Sequence, residues 1–82
     1  MTARIAWVVD MYPGHDEMLY VYPMGEEEAG EVGLQDGMAP FLKEYSDVIS
    51  VYLWAENAGV AREVAKPLFA AFTAANLEGI PF

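Results

Sequence analysis

The apolar positions of this chain come in blocks separated by turn-forming residues, and the period within each block predicts an element. Residues 4 to 12, RIAWVVDMY, are rich in β-branched and aromatic types and predict a strand. Pro13-Gly14 follows, where proline pre-sets φ and glycine takes positive φ freely, so the chain turns. EMLYVYPM predicts a second strand, ended by Pro23 and Gly25, with Leu19 and Val21 on one side and Met18, Tyr20 and Tyr22 on the other. Two strands across so short a turn region predict a β-hairpin.

Residues 25 to 37 hold four glycines and five acids, with only Val32 and Leu34 as apolar anchors, and predict a loop or a short strand flanked by loops. Met38 to Tyr45, MAPFLKEY, predicts a short helix: Pro40 falls in its first turn, where a missing N–H costs little, and Phe41, Leu42 and Tyr45 give it one apolar face. DVISVYLWAEN has almost no polar face and predicts a central strand covered on both sides. From Val60 to Leu77, the residues Val60, Val64, Leu68, Ala71, Phe72 and Ala75 recur at three- and four-residue steps, the stripe of a long helix. Pro67 predicts a kink or a split in it, Gly79 a C-terminal cap, and Pro81 a stop. The expected fold is one α+β domain over residues 1–82: a small antiparallel or mixed three-stranded sheet, in β-β-α-β-α order, with helices packed on one face.

Composition narrows the function classes. At 82 residues and 55% hydrophobic, the chain has the apolar content a small core needs and lacks the low hydrophobicity of disordered chains. There is no cysteine, which excludes disulfides and thiolate zinc sites and fits a reducing compartment. The N-terminal apolar run is too short for a signal peptide, and no run approaches the roughly 20 residues that span a bilayer. A soluble, cytoplasmic protein is the expectation. The net charge of −9 argues against direct contact with nucleic acid or an anionic membrane and is consistent with a basic partner.

That charge is unevenly spread. Asp10, Asp16, Glu17, Glu26, Glu27, Glu28, Glu31 and Asp36 occur with no Lys or Arg among them, whereas the rest of the chain holds five acids and all four bases. In an extended chain Glu26 and Glu28 would project together about 6–7 Å apart, and on a helix residues three or four apart would lie about 5–6 Å apart. Either spacing presents negative points to Lys and Arg in a nucleic-acid groove. Like charges within a Debye length, about 8 Å at physiological salt, repel one another, so tolerating the cluster hints at a use. The plainer reading is a solvated acidic loop that keeps an apolar domain soluble.

Catalytic chemistry has little to stand on. His15, the single histidine, sits in PGHDE at a turn tip beside Asp16 and Glu17, with no nucleophile nearby, and reads as a solvated turn histidine. The acids of GEEEAGEVGLQDG do not follow the order of a calcium loop, so no metal or other cofactor is expected. Gly25, Gly30, Gly33 and Gly37 do not form a phosphate cradle, since no Lys-Ser or Lys-Thr follows and glutamates would repel the ligand. Trp7, Tyr12, Tyr20, Tyr22, Tyr52 and Trp54 lie on predicted strands and read as core, unless one sheet face is left uncovered. In that case its tyrosines form a surface for a partner or for a homodimer.

In length, charge, absence of cysteine and absence of enzymatic motifs, with GEEEAGEVGLQD as its most acidic stretch, the chain resembles the small acidic inhibitors of phages and mobile elements, the anti-CRISPR proteins among them. The resemblance is one of style and rests on no shared motif. It implies a non-enzymatic DNA mimic, acting in the cytoplasm of a bacterial host cell, that binds a basic nucleic-acid-binding complex such as a CRISPR effector and blocks DNA access. Charge clustering, not motif matching, makes Asp16, Glu17, Glu26, Glu27, Glu28, Glu31 and Asp36 the expected partner-binding residues. The alternative is a structural or regulatory domain that self-associates through an aromatic sheet face, its acids serving only solubility.

Overall fold

The computed structural model describes residues 4–12 and 19–78. The described residues form β1 (Ile5–Met11), β2 (Leu19–Met24), α1 (Glu26–Val32), β3 (Phe41–Glu44), β4 (Ile49–Ala55) and α2 (Ala58–Glu78). The fold is α+β. Its sheet is four-stranded rather than three-stranded, in the order β2-β1-β4-β3, and every neighbouring pair is antiparallel. Two hairpins, β1–β2 and β3–β4, thus lie side by side and join through β1 and β4, which hold the centre. Val9 of β1 faces Val21 of β2 on one flank and Val51 of β4 on the other.

The pleat sorts the side chains onto two faces. Trp7, Val9, Met11, Leu19, Val21, Leu42, Val51 and Leu53 pack with α2, which lays Ala61, Ala65 and Phe69 against them. Alanine at two of these three contact positions lets the helix approach the sheet closely. Val9, Val51 and Leu53 are the largest fully buried side chains. On the opposite face Ala6, Val8, Met24, Phe41, Tyr52 and Trp54 pack with Ala29 and Val32 of α1 and with Leu34 just beyond it. The expected placement of both helices on one face is therefore corrected: each face carries one, and β4 is covered on both sides, with six of its seven residues buried and Trp54 half-buried.

The acidic stretch is a helix, not a loop or a short strand. Glu26, Glu27 and Glu28 occupy the first turn of α1, where carboxylates meet the positive end of the helix dipole. Ala29 is buried against the sheet. Gly33, at φ 84°, then ends the helix in the left-handed conformation that glycine takes without a Cβ penalty. Its N–H donates to the Gly30 carbonyl at 3.2 Å, and the Leu34 N–H donates to the Ala29 carbonyl at 2.8 Å. Leu34 and Ala29 are both buried in the same cluster, so the capping turn closes on an apolar contact.

Residues 38–45 make the opposite exchange, a strand where a helix was expected. Phe41 lies opposite Tyr52, and Leu42 opposite Val51, so the two apolar neighbours serve different faces of the sheet. The Tyr45 N–H donates to the Val48 carbonyl at 2.8 Å and closes the turn into β4. A helix of so few residues is marginal by itself, whereas a strand here completes the edge of β4.

α2 runs unbroken through Pro67, correcting the expected split, because the exposed proline costs one backbone hydrogen bond while packing on both sides of it continues. Asn57, just before the helix, caps it: its Oδ1 accepts from the Val60 N–H at 2.9 Å. Its buried line is Ala61, Ala65, Phe69, with Val64, Leu68 and Phe72 flanking it. Val60 and Ala71, expected on the stripe, are exposed. The turn at Pro13-Gly14, Met18, Gly79 and Pro81 lie outside the described residues.

Candidate partner-binding surface

α1 covers only one end of its sheet face. The rest of that face follows from the register: Tyr20 and Tyr22 on β2, Asp10 on β1, Ser50 and Tyr52 on β4, and Lys43 on β3. Tyr12 continues the line of Asp10, and Tyr45 that of Lys43. All five tyrosines of the chain therefore belong to this face. At the β3 side they are tied down: the Tyr45 and Tyr52 hydroxyls are 2.8 Å apart in a hydrogen bond, and the Tyr52 ring lies 5.4 Å from that of Phe41. In the middle, buried Ser50 donates its hydroxyl to Asp10 Oδ1 at 2.6 Å. At the β2 side the rings are open. Tyr20 is 39% and Tyr22 46% exposed, and Tyr20 meets Tyr12 edge to face at 5.5 Å.

These surroundings change the phenols. Burial, then the hydrogen bond with Tyr45, pushes the Tyr52 hydroxyl up to about 12. Tyr12 is also raised, by partial loss of solvent first and by the nearby Asp10 carboxylate second. Both phenols stay neutral at physiological pH, so the charge between the tyrosines comes from the Asp10 carboxylate, which is held by Ser50, and from Lys43. A cation is already seated on it: Lys43 Nζ lies 5.9 Å from the centroid of the Phe41 ring.

The predicted site residues divide. Asp16 and Glu17, with His15 beside them, lie outside the described residues. Glu26, Glu27, Glu28 and Glu31 stand exposed on α1, and Asp36 is exposed in the turn after it, so the fold brings these five to the helix-covered end of the tyrosine face. It does not line them up. Successive helical residues fan around the axis by about 100°, so Glu26, Glu27 and Glu28 point in different directions. Only Glu31 pairs at helical spacing with Glu27 and with Glu28. Among the described residues the one ion pair is Lys66–Glu63 on α2, at 3.1 Å, so no α1 acid is bridged to a base.

That Tyr20 and Tyr22 share one side was legible in the alternation of β2, but their exposure corrects the expectation that they are core, and two further features were not legible. The Lys43–Phe41 contact was hidden by the expectation of a helix there. The Asp10–Ser50 bond spans 40 residues and needs the β1–β4 pairing. A shallow groove of about 460 Å³ lies at the other end of the sheet, lined by Arg4, Asp36, Met38, Trp54, Glu56 and Val60 among others. Above it Trp54 Nε1 donates to the Gln35 carbonyl at 2.7 Å and pins the loop that follows α1. Among the described residues no group of three or more His, Cys, Asp or Glu is placed to hold a metal ion. No helix among them is long and apolar enough to cross a membrane. Comparison with protein-family models, with curated proteins and with solved structures gave no match to this chain.

Proposed function

We propose that this chain is a non-enzymatic inhibitor that occupies a basic, nucleic-acid-recognition surface of a partner complex and blocks DNA access, in the manner of the acidic anti-CRISPR proteins it resembles. One observation carries the reading: the acids of α1, unbridged among the described residues, and the open tyrosines share one side of the sheet. Glu26, Glu27, Glu28 and Glu31 rise from the helix that covers one end of a face whose other end is aromatic. The opposite side is covered by α2, where Arg62 and Lys66 offset Glu63. A sidedness of this kind orients an approaching basic surface and raises its rate of encounter.

The test is competition. A basic DNA-binding effector complex is incubated with labelled DNA and increasing protein over a salt series. The expected result is loss of DNA binding that weakens steeply with salt, because each ion pair formed on the acids is screened. Charge reversal at Glu26, Glu27 and Glu28 together abolishes inhibition, while Glu63→Lys, on the far side, leaves it intact. Equal losses at both places would sink a localised site. A second reading, self-association through the same face, is favoured by the exposure of Tyr20 and Tyr22. It predicts a dimer that persists at high salt, dissociates on Tyr22→Ala and has no effect on DNA binding by basic complexes.

A further inference from the structure

We infer that the open β2 side of the tyrosine face takes arginine rather than lysine side chains, presented by an extended basic segment of the partner that runs along Tyr20 and Tyr22. The inference rests on the inhibitor reading and names the chemistry of what that surface holds. Charge complementarity selects a cation. The acids of α1 are unbridged among the described residues and stand on this side of the sheet, one β2 residue pair away from Tyr22, since Met24 packs with Ala29 of α1. The aromatic surface selects its shape. A guanidinium is planar and weakly hydrated and stacks on a phenol ring, whereas an ammonium is a strongly hydrated point charge that loses more on leaving water. The face already holds one cation over a ring, Lys43 on Phe41, at the opposite edge.

Spacing selects an extended segment. Tyr20 and Tyr22 are alternate residues of an edge strand, so their side chains rise from one face about 6.8 Å apart. Arginines at every second position of an extended partner chain repeat at the same step. Both rings are available, at 39% and 46% exposure, whereas Tyr52 is buried and bonded to Tyr45. The acids at the α1 end then attract the segment in general, and the rings distinguish its residues.

The experiment uses the full chain and two synthetic peptides of equal length and charge, one alternating arginine with serine, the other lysine with serine. Affinities are measured by calorimetry at low and at physiological salt. The expected result is about tenfold tighter binding of the arginine peptide, the size of two ring contacts. Tyr20→Ala with Tyr22→Ala brings the arginine peptide down to the level of the lysine peptide. Tyr20→Phe with Tyr22→Phe retains the preference, which a merely structural role of the hydroxyls would not. Replacing the four α1 glutamates by glutamine weakens both peptides alike. Equal affinities for the two peptides, unchanged by the alanine pair, would overturn the inference while leaving the acidic reading standing. Failure of both peptides to bind would overturn the two together. If the alanine pair instead converts a dimer to a monomer without changing peptide binding, the face belongs to a second copy of this chain and the inference falls.

Discussion

Tyr52 is buried among Ala6, Ala29 and Leu34 yet carries a hydroxyl, and the fold satisfies it with the hydroxyl of Tyr45 at 2.8 Å. Burial disfavours the phenolate, and so does the hydrogen bond with Tyr45, so the proton is held from the ordinary 10.0 up to about 12. The consequence for stability has a definite sign. Between those two values the folded chain keeps a proton that the unfolded chain has lost, so stability is fully present below pH 10 and falls as the pH climbs through the window. Ultraviolet titration of tyrosinate, with circular dichroism followed in parallel, should show a last tyrosine step near pH 12, together with the onset of unfolding. Tyr45→Phe should move that last step down. A single uniform step for all tyrosines in the folded protein would contradict the buried pair.

At the scale of elements, the sequence and the structure agree where a period is long or an apolar run unbroken, and part where a segment is short. β1, β2, β4 and α2 all lie where their patterns put them, within two residues or so. α1 and β3 are exchanged, and the reason is physical in both cases. EEEAGEV has one residue buried against the core, Ala29, too little for a stripe to be seen, yet its acids-first order and Gly33-Leu34 ending are the signals of helix termini. FLKE could be read either way, because four residues do not separate a period of 2 from one of 3.6, and only the exposed edge of β4 decides. The acids Glu26, Glu27, Glu28, Glu31 and Asp36 were legible as residues and as a cluster; that the first four fan around a helix rather than forming a row was not. A pair of glycines tests this account of α1. Gly30 lies inside the helix with nothing within 4 Å of an added Cβ, so Gly30→Ala should stabilise the protein by about 0.5–1 kcal/mol. Gly33 sits at φ 84°, so Gly33→Ala should destabilise it by about 1–2 kcal/mol. Denaturant melts of the two variants should shift in opposite directions, and a loop over residues 26–32 would give neither shift.

Over the whole molecule the charge of −9 is concentrated in the segment from Asp10 to Asp36, and the described part of it lies chiefly with α1. Folding alone accounts for part of that. Glu26, Glu27 and Glu28 sit where the helix dipole favours them, so they could be kept for the helix and need no partner. Glu31 has no such excuse. It stands in the last turn, which holds no base, at the negative end of the dipole and four residues after Glu27, so both neighbours repel it. Glu31→Lys reverses both terms: it places a cation at the helix end and sets that cation four residues after Glu27, the favourable order for an ion pair. The change should stabilise the chain by roughly 0.3–1 kcal/mol. The inhibitor reading demands the reverse for binding: the same change removes an anion from the surface and adds a cation to it, so affinity for a basic partner should fall by roughly tenfold or more. Glu63→Lys makes the same change of charge on the far side and breaks the exposed pair with Lys66, so it should do neither. Thermal melts and DNA competition on these two variants at the same ionic strength separate the readings. A more stable Glu31→Lys protein that inhibits as well as the parent would show that the acids of α1 serve the fold and its solubility, and the partner-binding role would then rest on the tyrosines alone.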